Sequence, residues 1–410
     1  MSLYPVLIAH LSDVHLGRRQ YGLEARAKDY ELAFLRAIDE IIGLREERGV
    51  DLVLVSGDLF DNPRPSPSTY LTAIKGFSRL RDSGIDVLVI RGNHDASVIN
   101  PIDNPITVLD SSGLVKYLDH GYVDYGKVRV IGVGCVPTNS RVKMVKALRE
   151  LLGNGVNIVM MHQYVEGAPY RYPMPNIDYY TIPAGELPKD AYYAVGHIHE
   201  HALRHPTLEA VYPGSLEVWD SQEFETHVLE GGRLRMVKGQ DPKGFLLLNV
   251  DEGSGRVRVE PIRLKGGRRM IKVIVNVNGE PPSTFKEQLG GLGALDYRDA
   301  YVEVDVIGEL GDGFSVRDYG FNTVKGLING ALKVNVKLSV ARRGSAKAQA
   351  THGLIELIQT VLNKSIGDEA VVNAVLRALD LISDGKVNEA VAILERGLGL
   401  GSDVEWLQWS

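Results

Sequence analysis

The chain has 410 residues, which is too long for one ordinary hydrophobic core, so two or three domains are expected. Apolar residues make up 44% and charged residues 24% of the chain, proportions that are ordinary for a globular protein and exclude a disordered or fibrous one. The formal net charge of -6 gives no global sign of a nucleic-acid partner, although local charge decides that question.

Two features bear on the compartment. The single cysteine, Cys135, excludes an internal disulfide and is typical of a reducing interior. The opening segment "MSLYPVLIAHLSDVHLG" lacks the basic lead of a signal peptide, and its apolar run ends at Asp13. No apolar run has the length of a bilayer span. We therefore expect a cytoplasmic protein.

Strands and helices alternate from the start to about residue 135. The run "VLIAHLS" (6–12) predicts a strand, and "DLVLVSGD" predicts one covered on both faces. The segment "STYLTAIKGFSRLRDSG" predicts a helix that ends at Gly84, and "IDVLVIRGN" predicts the next strand. An earlier helix is predicted by apolar residues at 3.6-residue spacing: Tyr30, Ala33, Phe34, Ala37, Ile38, Ile41 and Ile42. This rhythm predicts sheets flanked by helices.

The rhythm continues through "KVRVIGVGC", "RVKMVKALRELLG" and "VNIVMMHQ", and after residue 190 it changes to short strands and turns. The segment "THVLEGGRLRMV" is among these strands, with "EGG" as a hairpin turn. We predict that residues 1–265 form one α/β domain, a two-sheet β-sandwich flanked by helices.

A break at "KGGRR" (265–269) predicts a second domain, a small α/β unit at residues 266–344 with one helix near 315–331. From Lys265 to Lys347 there are thirteen Lys and Arg against nine Asp and Glu. A solvated surface and a dedicated binding face explain this excess equally well.

Residues 345–410 are predicted to form a helical segment. It has two apolar stripes: Leu354, Ile355, Leu357, Ile358, Val361 and Leu362, then Val371, Val372, Val375, Leu376, Leu379 and Ile382. Short helices of this kind cannot bury both stripes alone, so the stripes must pack on the body or on a partner.

Five segments with polar side chains stand at the carboxyl ends of predicted strands: "SDVHLG" (12–17), "SGDLFDN" (56–62), "RGNHD" (91–95), "MMHQ" (160–163) and "VGHIH" (195–199). Ligand sites in such sheets gather beyond the carboxyl ends of strands, so the five segments are expected to converge.

Together these segments offer seven potential metal ligands of mixed oxygen and nitrogen type: Asp13, His15, Asp58, Asn93, His162, His197 and His199. A structural zinc takes four ligands and favours sulfur, whereas seven suit two cations of the manganese, iron or zinc kind that share a bridging carboxylate. Such a pair activates a water for in-line attack on phosphorus. His94 can then protonate or stabilise the leaving oxygen, with its ring oriented by Asp95.

Each segment alone has a simpler explanation. Asp13 could be a turn residue or a helix cap, His162 a buried core histidine, "GNHD" a tight turn, and His94 a structural residue. The order of all five segments, each at a strand end, favours the two-metal hypothesis.

In this order the motifs D-x-H, G-D-x-x-D, G-N-H-D, H and G-H-x-H resemble the calcineurin-like metallophosphoesterase superfamily over about the first 200 residues. Within it, "GDLFDNPRPSP", "GHIHEH" and "VYPGSLEVWD" are most similar to the double-strand-break repair nuclease subunit of the Mre-eleven type, archaeal branch. The resemblance implies a metallophosphoesterase fold and manganese-dependent 3'-5' exonuclease activity on double-stranded DNA ends, with endonuclease activity on single strands.

The resemblance also implies residue roles. It implies two divalent metal ions, with Mn2+ as the expected metal. One of them would be held by Asp13, His15, Asp58 and His199. The second would be held by Asp58, Asn93, His162 and His197, with Asp58 as the bridge and His94 as the catalytic histidine. Many relatives carry a histidine where this chain has Asp61, which leaves the cleavage polarity and the balance of the two activities open.

The implied partners are DNA (double-stranded ends, hairpins and single strands), a second copy of the chain, and an SMC-like coiled-coil ABC ATPase. The second domain would cap the site and contact DNA. The helical tail would bind the ATPase. The homodimer would form through the helix after Pro67 and the stretch "NPITVLDSSGLVKYL".

Two other functions remain possible. A small-molecule or cyclic-nucleotide phosphodiesterase would use the same metals, but such compact enzymes generally lack the 145 or so residues after the core and "YPGSLE". A DNA-end-tethering scaffold without catalysis is the alternative from another class. A protein phosphatase fits less well because "GDLFDNP" and "GNHD" depart from its signatures.

The stretch "GHIHEHALRH" contains four of the eleven histidines. We assign His197 and His199 as ligands. His201 continues the alternation, but no ligand position calls for it, so its role stays open. His205 is predicted to be a surface loop residue.

Overall fold

The computed structural model describes residues 6–95, 104–172 and 177–342, and residue 393 beyond them. The helical tail predicted at 345–410 therefore lies outside the described residues, apart from that single position. Among the described residues, no helix is both long and apolar enough to cross a membrane.

The helices are α1 (Glu24–Arg48), α2 (Pro67–Asp82), α3 (Ile106–Ser111), α4 (Arg141–Leu151), α5 (Pro282–Leu289), α6 (Val316–Tyr319) and α7 (Val324–Leu327). The strands up to residue 212 are β1 (Val6–Leu11), β2 (Val50–Ser56), β3 (Asp86–Ile90), β4 (Lys116–Tyr117), β5 (Gly121–Tyr125), β6 (Val128–Gly132), β7 (Val156–His162), β8 (Tyr164–Val165), β9 (Thr181–Ile182), β10 (Tyr192–Gly196), β11 (Leu203–Arg204) and β12 (Ala210–Tyr212). The later strands are β13 (Glu225–Glu230), β14 (Arg233–Lys238), β15 (Gly244–Val250), β16 (Val257–Arg263), β17 (Met270–Asn278), β18 (Tyr301–Leu310) and β19 (Lys333–Arg342).

Two six-stranded sheets form the centre of the molecule. The first has the order β16-β15-β1-β2-β3-β4, and the second has the order β11-β12-β10-β7-β6-β5. In both sheets the central strands run parallel, so their carboxyl ends share one edge. The predicted two-sheet α/β architecture is confirmed.

The layers are built by burial on both faces of each sheet. Apolar residues of β1, β2 and β3 face those of β6, β7 and β10 between the sheets. The outer face of the first sheet packs on α1 and α2, and that of the second sheet packs on α4. This explains why β2 and β7 are nearly continuous apolar runs rather than alternating ones.

Local signals position the two helices of the first layer. The α1 helix ends at Arg48 and is capped by Gly49, whose φ of 81° is the left-handed conformation that glycine adopts most easily at a helix end. Ser66 caps the start of α2: its hydroxyl accepts a hydrogen bond from the Thr69 N–H at 3.2 Å, and the helix begins at Pro67.

A third sheet has the order β14-β13-β17-β18-β19 and packs on α5, α6 and α7. We call this sheet with its helices the third-sheet body. The segment "THVLEGGRLRMV" was expected in the first two sheets, and this prediction is wrong, because β13 pairs in parallel with β17. The chain then returns to the first sheet through β15 and β16. An alternating strand pattern does not specify which sheet the strand joins.

The helices of the third-sheet body also differ from the prediction. The single helix expected near 315–331 is divided into α6 and α7, because Gly320 adopts a φ of 65° and ends α6. The α5 helix, which begins with Pro282 in its first turn, was not predicted.

Candidate metal centre

All eight predicted site residues lie at the shared carboxyl edge of the two sheets. Asp13 and His15 follow β1, and Asp58 follows β2. Asn93 and His94 follow β3. The second sheet contributes His162 at the end of β7, with His197 and His199 after β10. The predicted convergence of five segments is therefore observed.

One group of ligand atoms is centred on His15 and His199. Their Nε2 atoms lie 3.3 Å apart, and His199 Nε2 lies 3.5 Å from Asp13 Oδ1. His15 Nε2 is 3.8 Å from Asp58 Oδ2. Two imidazole nitrogens and two carboxylates thus surround one small volume, with Asp13 and His15 fully buried. This set matches the ligands assigned to the first cation.

A second group is centred on Asn93. Its Oδ1 atom lies 3.1 Å from His162 Nε2 and 3.1 Å from His197 Nδ1. His162 Nε2 is also 3.2 Å from Asp58 Oδ2. The Asp58 carboxylate therefore lies within reach of both groups, which is the position of a bridging ligand. Asp13 Oδ1, at 3.9 Å from His162 Nε2, is a second carboxylate between the groups.

The charges of the site fit divalent cations. Burial would raise the pKa values of Asp13 and Asp58, but hydrogen bonds and charge from the neighbouring imidazoles lower both, so both carboxyls are ionised. Burial would lower the pKa of His162, but the charge of Asp58, the hydrogen bond to it and the charge of Asp13 together raise that pKa to about 9. The two buried carboxylates thus stabilise a positively charged group beside them.

The other imidazoles are suited to donate lone pairs. Burial lowers the pKa of His197 to about 3, and the pKa of His15 falls well below its ordinary value for the same reason. The ring atoms that face the two ligand groups are His15 Nε2, 3.3 Å from His199 Nε2, and His197 Nδ1, 3.1 Å from Asn93 Oδ1. Neutral imidazoles beside ionised carboxylates are the donor set that zinc, manganese and iron accept.

The backbone at these positions is strained. Asp13, His15, Asp58 and His197 all have positive φ values, of 52°, 47°, 52° and 93°. Such conformations cost on the order of 1–3 kcal/mol each in residues other than glycine and concentrate at functional sites. The four strained residues include ligand candidates from the ends of strands in both sheets.

Three glycines allow the close approach. A Cβ atom at Gly92 would overlap the Asp58 carboxylate, and one at Gly57 would lie 2.7 Å from Cγ of His162. A Cβ at Gly196 would lie 2.7 Å from His162 Nδ1. The two sheets can therefore bring their ligands together only because these positions have no side chain.

His162 is fixed by the chain beneath it. Its Nδ1–H donates a hydrogen bond to the Ser56 carbonyl at 2.8 Å, which leaves Nε2 as the ligand atom. The Ser56 hydroxyl donates to the Ala194 carbonyl and accepts from His10 Nε2, each at 2.9 Å. The Ser56 hydroxyl thus joins the two sheets behind the site, and a fully buried His10 holds that hydroxyl in place. Sequence reasoning missed this residue, although it interrupts the apolar run "VLIAHLS".

His94 has a different environment from the ligand candidates. Its Nδ1–H donates to the Asp61 carbonyl at 3.0 Å, so Nε2 is the atom free to exchange a proton, and 31% of its side chain is exposed. Burial lowers its pKa, but the charge of Asp58 and the Asp61 carbonyl outweigh this effect, so the pKa is raised overall.

Asp95 does not orient His94 as the sequence suggested. Its carboxylate accepts hydrogen bonds from the backbone N–H groups of Phe60 and Gly92, both at 2.8 Å, and of Leu59 at 3.3 Å. Asp95 therefore joins the loops after β2 and β3, and the carbonyl of Asp61 orients the His94 ring instead.

Two further residues cover the site and were not singled out from the sequence. The Trp219 ring lies 4.3 Å from the His15 ring and 4.1 Å from the His199 ring, measured between centroids. The Arg18 guanidinium lies 3.4 Å from the Trp219 ring centroid and 3.1 Å from Asp61 Oδ1. The sequence does hold a signal for Trp219, because it is one of only three tryptophans in the chain and lies in the segment "VYPGSLEVWD".

The remaining histidines of "GHIHEHALRH" are structural. His201 donates from Nδ1 to the Pro213 carbonyl at 2.8 Å. His205, predicted to lie on the surface, is instead 7% exposed, because its ring bonds the Glu166 carbonyl and the backbone N–H groups of Thr207 and Leu208. The surface assignment of His205 is wrong.

Comparison with known proteins agrees with this geometry. Residues 6–201 match the calcineurin-like phosphoesterase family. The chain is 36% identical over 198 residues to the DNA double-strand break repair protein Mre11 of Saccharolobus solfataricus, covering 47% of this chain and 49% of the relative. It is 31% identical over 252 residues to the protein of that name from Methanocaldococcus jannaschii, covering 60% of this chain and 62% of the relative. It is 29% identical over 290 residues to the protein of that name from Methanopyrus kandleri, covering 67% of this chain and 60% of the relative. The chain thus spans about half to three fifths of the length of these relatives.

Proposed function

We propose, from the premise that residues 6–201 are a calcineurin-like metallophosphoesterase domain, that the chain is a metal-dependent phosphodiesterase acting on DNA, a nuclease of double-strand-break repair. The observation that carries this proposal is the meeting of two buried carboxylates, one amide oxygen and four imidazoles at one sheet edge. The similarity to archaeal break-repair proteins favours DNA over a small phosphodiester.

The ligands divide between two cations. Asp13, His15, Asp58 and His199 would hold one, and Asp58, Asn93, His162 and His197 would hold the other. When bound, the pair would lower the pKa of a shared water and neutralise charge on the phosphoryl oxygens. We propose Mn2+ as the metal, since mixed carboxylate, amide and imidazole ligands suit it.

His94 acts as the proton donor in this proposal. The raised pKa of His94 increases its protonated fraction near neutral pH. The Asp61 carbonyl binds Nδ1–H, so Nε2 is the nitrogen that can transfer a proton to the leaving oxygen. His94 Nε2 would donate its proton to the leaving oxygen of the DNA strand as the bond between that oxygen and phosphorus breaks.

The finer activities follow the family resemblance. We propose 3'-5' exonuclease action on double-stranded ends and endonuclease action on single strands, with the third-sheet body capping the site against DNA. The chain would then act beside the chromosome in the cytoplasm.

Two protein partners belong to the proposal. A homodimer would use α2 and the stretch 104–118, where Leu71 and Val108 are 56% and 51% exposed although apolar. An SMC-like coiled-coil ABC ATPase would bind the apolar stripes of residues 345–410.

The deciding experiment measures cleavage of end-labelled linear duplex DNA by the purified chain with Mn2+. We expect stepwise removal of nucleotides, and we expect Asp58→Ala to abolish it because both cations lose a ligand. Cyclic nucleotides assayed in parallel test the small-molecule alternative. If cyclic nucleotides are cleaved and the duplex DNA is not, the DNA assignment is overturned. If no phosphodiester is cleaved, the tethering scaffold is favoured.

A further inference from the structure

A buried guanidinium holds the backbone next to Trp219, whose ring packs on two ligand candidates. Arg26 is fully buried, and its Nη1 atom lies 2.8 Å from Asp29 Oδ2 and 3.2 Å from Glu217 Oε1. Its Nη2 atom donates to the Val218 carbonyl and to Gln20 Oε1, each at 2.9 Å. A buried charge is costly unless it is paired in this way, and such networks fix one conformation of the chain around them.

The segment that Arg26 fixes carries Trp219. The Val218 carbonyl also accepts from the Tyr30 hydroxyl at 3.0 Å, and the Trp219 carbonyl accepts from the Gln20 amide. The Trp219 N–H donates to Glu223 Oε2 at 2.7 Å. The backbone on both sides of the indole is therefore held by side chains.

The indole in turn restricts two ligand candidates. Its ring packs against the imidazoles of His15 and His199, with Arg18 stacked at 3.4 Å from its centroid. A metal-ligating imidazole must keep its ring orientation to aim a lone pair at the cation. Displacement of Trp219 would free both rings to rotate.

The network extends into the third-sheet body through Arg268, two residues before β17. Its guanidinium donates to both carboxylate oxygens of Asp29, at 2.8 Å and 3.0 Å. It also donates to the Asp299 carbonyl at 2.6 Å and lies 2.7 Å from Asp299 Oδ1. Asp29 is thus shared between Arg26 and Arg268.

We propose that Arg268 is a positioning residue, which acts through Asp29 and Arg26 to hold Trp219 against His15 and His199. The placement of the third-sheet body is thereby coupled to the geometry of the metal centre. Contact of substrate with the third-sheet body would reach the ligands along this route. The inference rests on the proposed function, because it assumes that His15 and His199 hold a cation.

The test follows Trp219 by fluorescence in the full-length chain, with Trp406 and Trp409 replaced by Phe so that it is the single reporter. Acrylamide quenching is measured in metal-free protein for Arg268→Gln, Arg268→Lys and Arg269→Gln. Arg269 is the matched control, because it is the adjacent arginine and its contacts, Glu225 at 2.8 Å and the Asp296 carbonyl at 2.6 Å, lie within the third-sheet body. Circular dichroism confirms that each variant is folded.

We expect Arg268→Gln to increase quenching of Trp219 and Arg269→Gln to leave it unchanged. Lysine cannot make the two parallel hydrogen bonds to Asp29, so quenching of Trp219 in Arg268→Lys should lie between the values of the parent and of Arg268→Gln. With metal and DNA, kcat of Arg268→Gln should fall about tenfold with a smaller change in KM, as expected when reacting groups are misplaced.

Equal quenching in the parent and Arg268→Gln would overturn the proposal, as would the same increase in Arg269→Gln. A rise in KM alone would assign Arg268 to substrate contact instead. The quenching measurement uses neither metal nor substrate. An inactive parent protein would therefore overturn the nuclease assignment while leaving the coupling between Arg268 and Trp219 measurable.

Discussion

His94 differs from its neighbours because it is partly exposed and is oriented by a backbone carbonyl. We expect His94→Gln to bind both cations, because none of the assigned ligand atoms is lost, and to reduce kcat by about 10²- to 10⁴-fold, the contribution of a positioned proton donor. Isothermal titration with Mn2+ and single-turnover cleavage measure the two properties separately.

The matched control is His201→Gln, in which the altered ring is hydrogen-bonded to the Pro213 carbonyl away from the ligands. It should keep both metal binding and cleavage. Loss of a bound cation in His94→Gln would instead make His94 a ligand, a position that its proximity to His15 and Asp58 permits.

The buried His10 makes the free energy of unfolding depend on pH. Burial lowers its pKa from 6.5 to about 3, so the unfolded chain binds a proton in a pH range where the folded chain does not. The free energy of unfolding therefore contains a contribution from His10 that is complete above pH 6.5 and declines as the pH falls toward 3. One such group changes the slope by up to about 1.4 kcal/mol per pH unit.

We expect His10→Gln, which keeps a donor for the Ser56 hydroxyl, to reduce this pH dependence. Urea unfolding of metal-free protein between pH 4 and 8 measures it. An unchanged slope in the variant would show that His10 does not titrate differently in the two states.

At the scale of elements, the loops after the strands depend on glycine. We expect Gly92→Ala to lower Mn2+ affinity by about tenfold or more, because the added Cβ overlaps the Asp58 carboxylate and moves a bridging ligand. Isothermal titration measures the affinity, and cleavage should fall in parallel.

Gly43 within α1 is the matched control, since a Cβ there meets no atom within 4 Å. Gly43→Ala should raise the melting temperature, because alanine is favoured over glycine in a helix by about 1 kcal/mol, and should leave metal affinity unchanged. Unaltered affinity in Gly92→Ala would mean that Asp58 has room to shift without losing its cation.

At the scale of the whole molecule, the proposed ATPase partner depends on the segment after the third-sheet body. We expect deletion of residues 347–410 to abolish co-purification with a coiled-coil ABC ATPase, because it removes both apolar stripes. Manganese-dependent cleavage of simple duplex ends should persist, since every assigned ligand lies before residue 200. Retained ATPase binding would place that interface elsewhere on the chain.

The sequence by itself determined the positions of the site. Polar residues at five strand ends sufficed to place Asp13, Asp58, His162 and the others at one edge, because parallel strands in sheets of this kind must share their carboxyl ends. The central strands β1, β2, β3, β6, β7 and β10 were equally legible, since burial on both faces imposes continuous apolar runs, whereas the short elements α3, β4, β5, β8 and β9 were not predicted.

Only the tertiary structure decided contacts between residues distant in sequence. Three features depend on partners about 35 to 200 residues away: the membership of β13 in the third sheet, the bond from Asp95 to the loop after β2, and the packing of Trp219 on His15. Local pattern records whether a side chain is buried, because burial follows the period of the element. It does not record which neighbour buries it, because that is fixed by the packing of the whole chain.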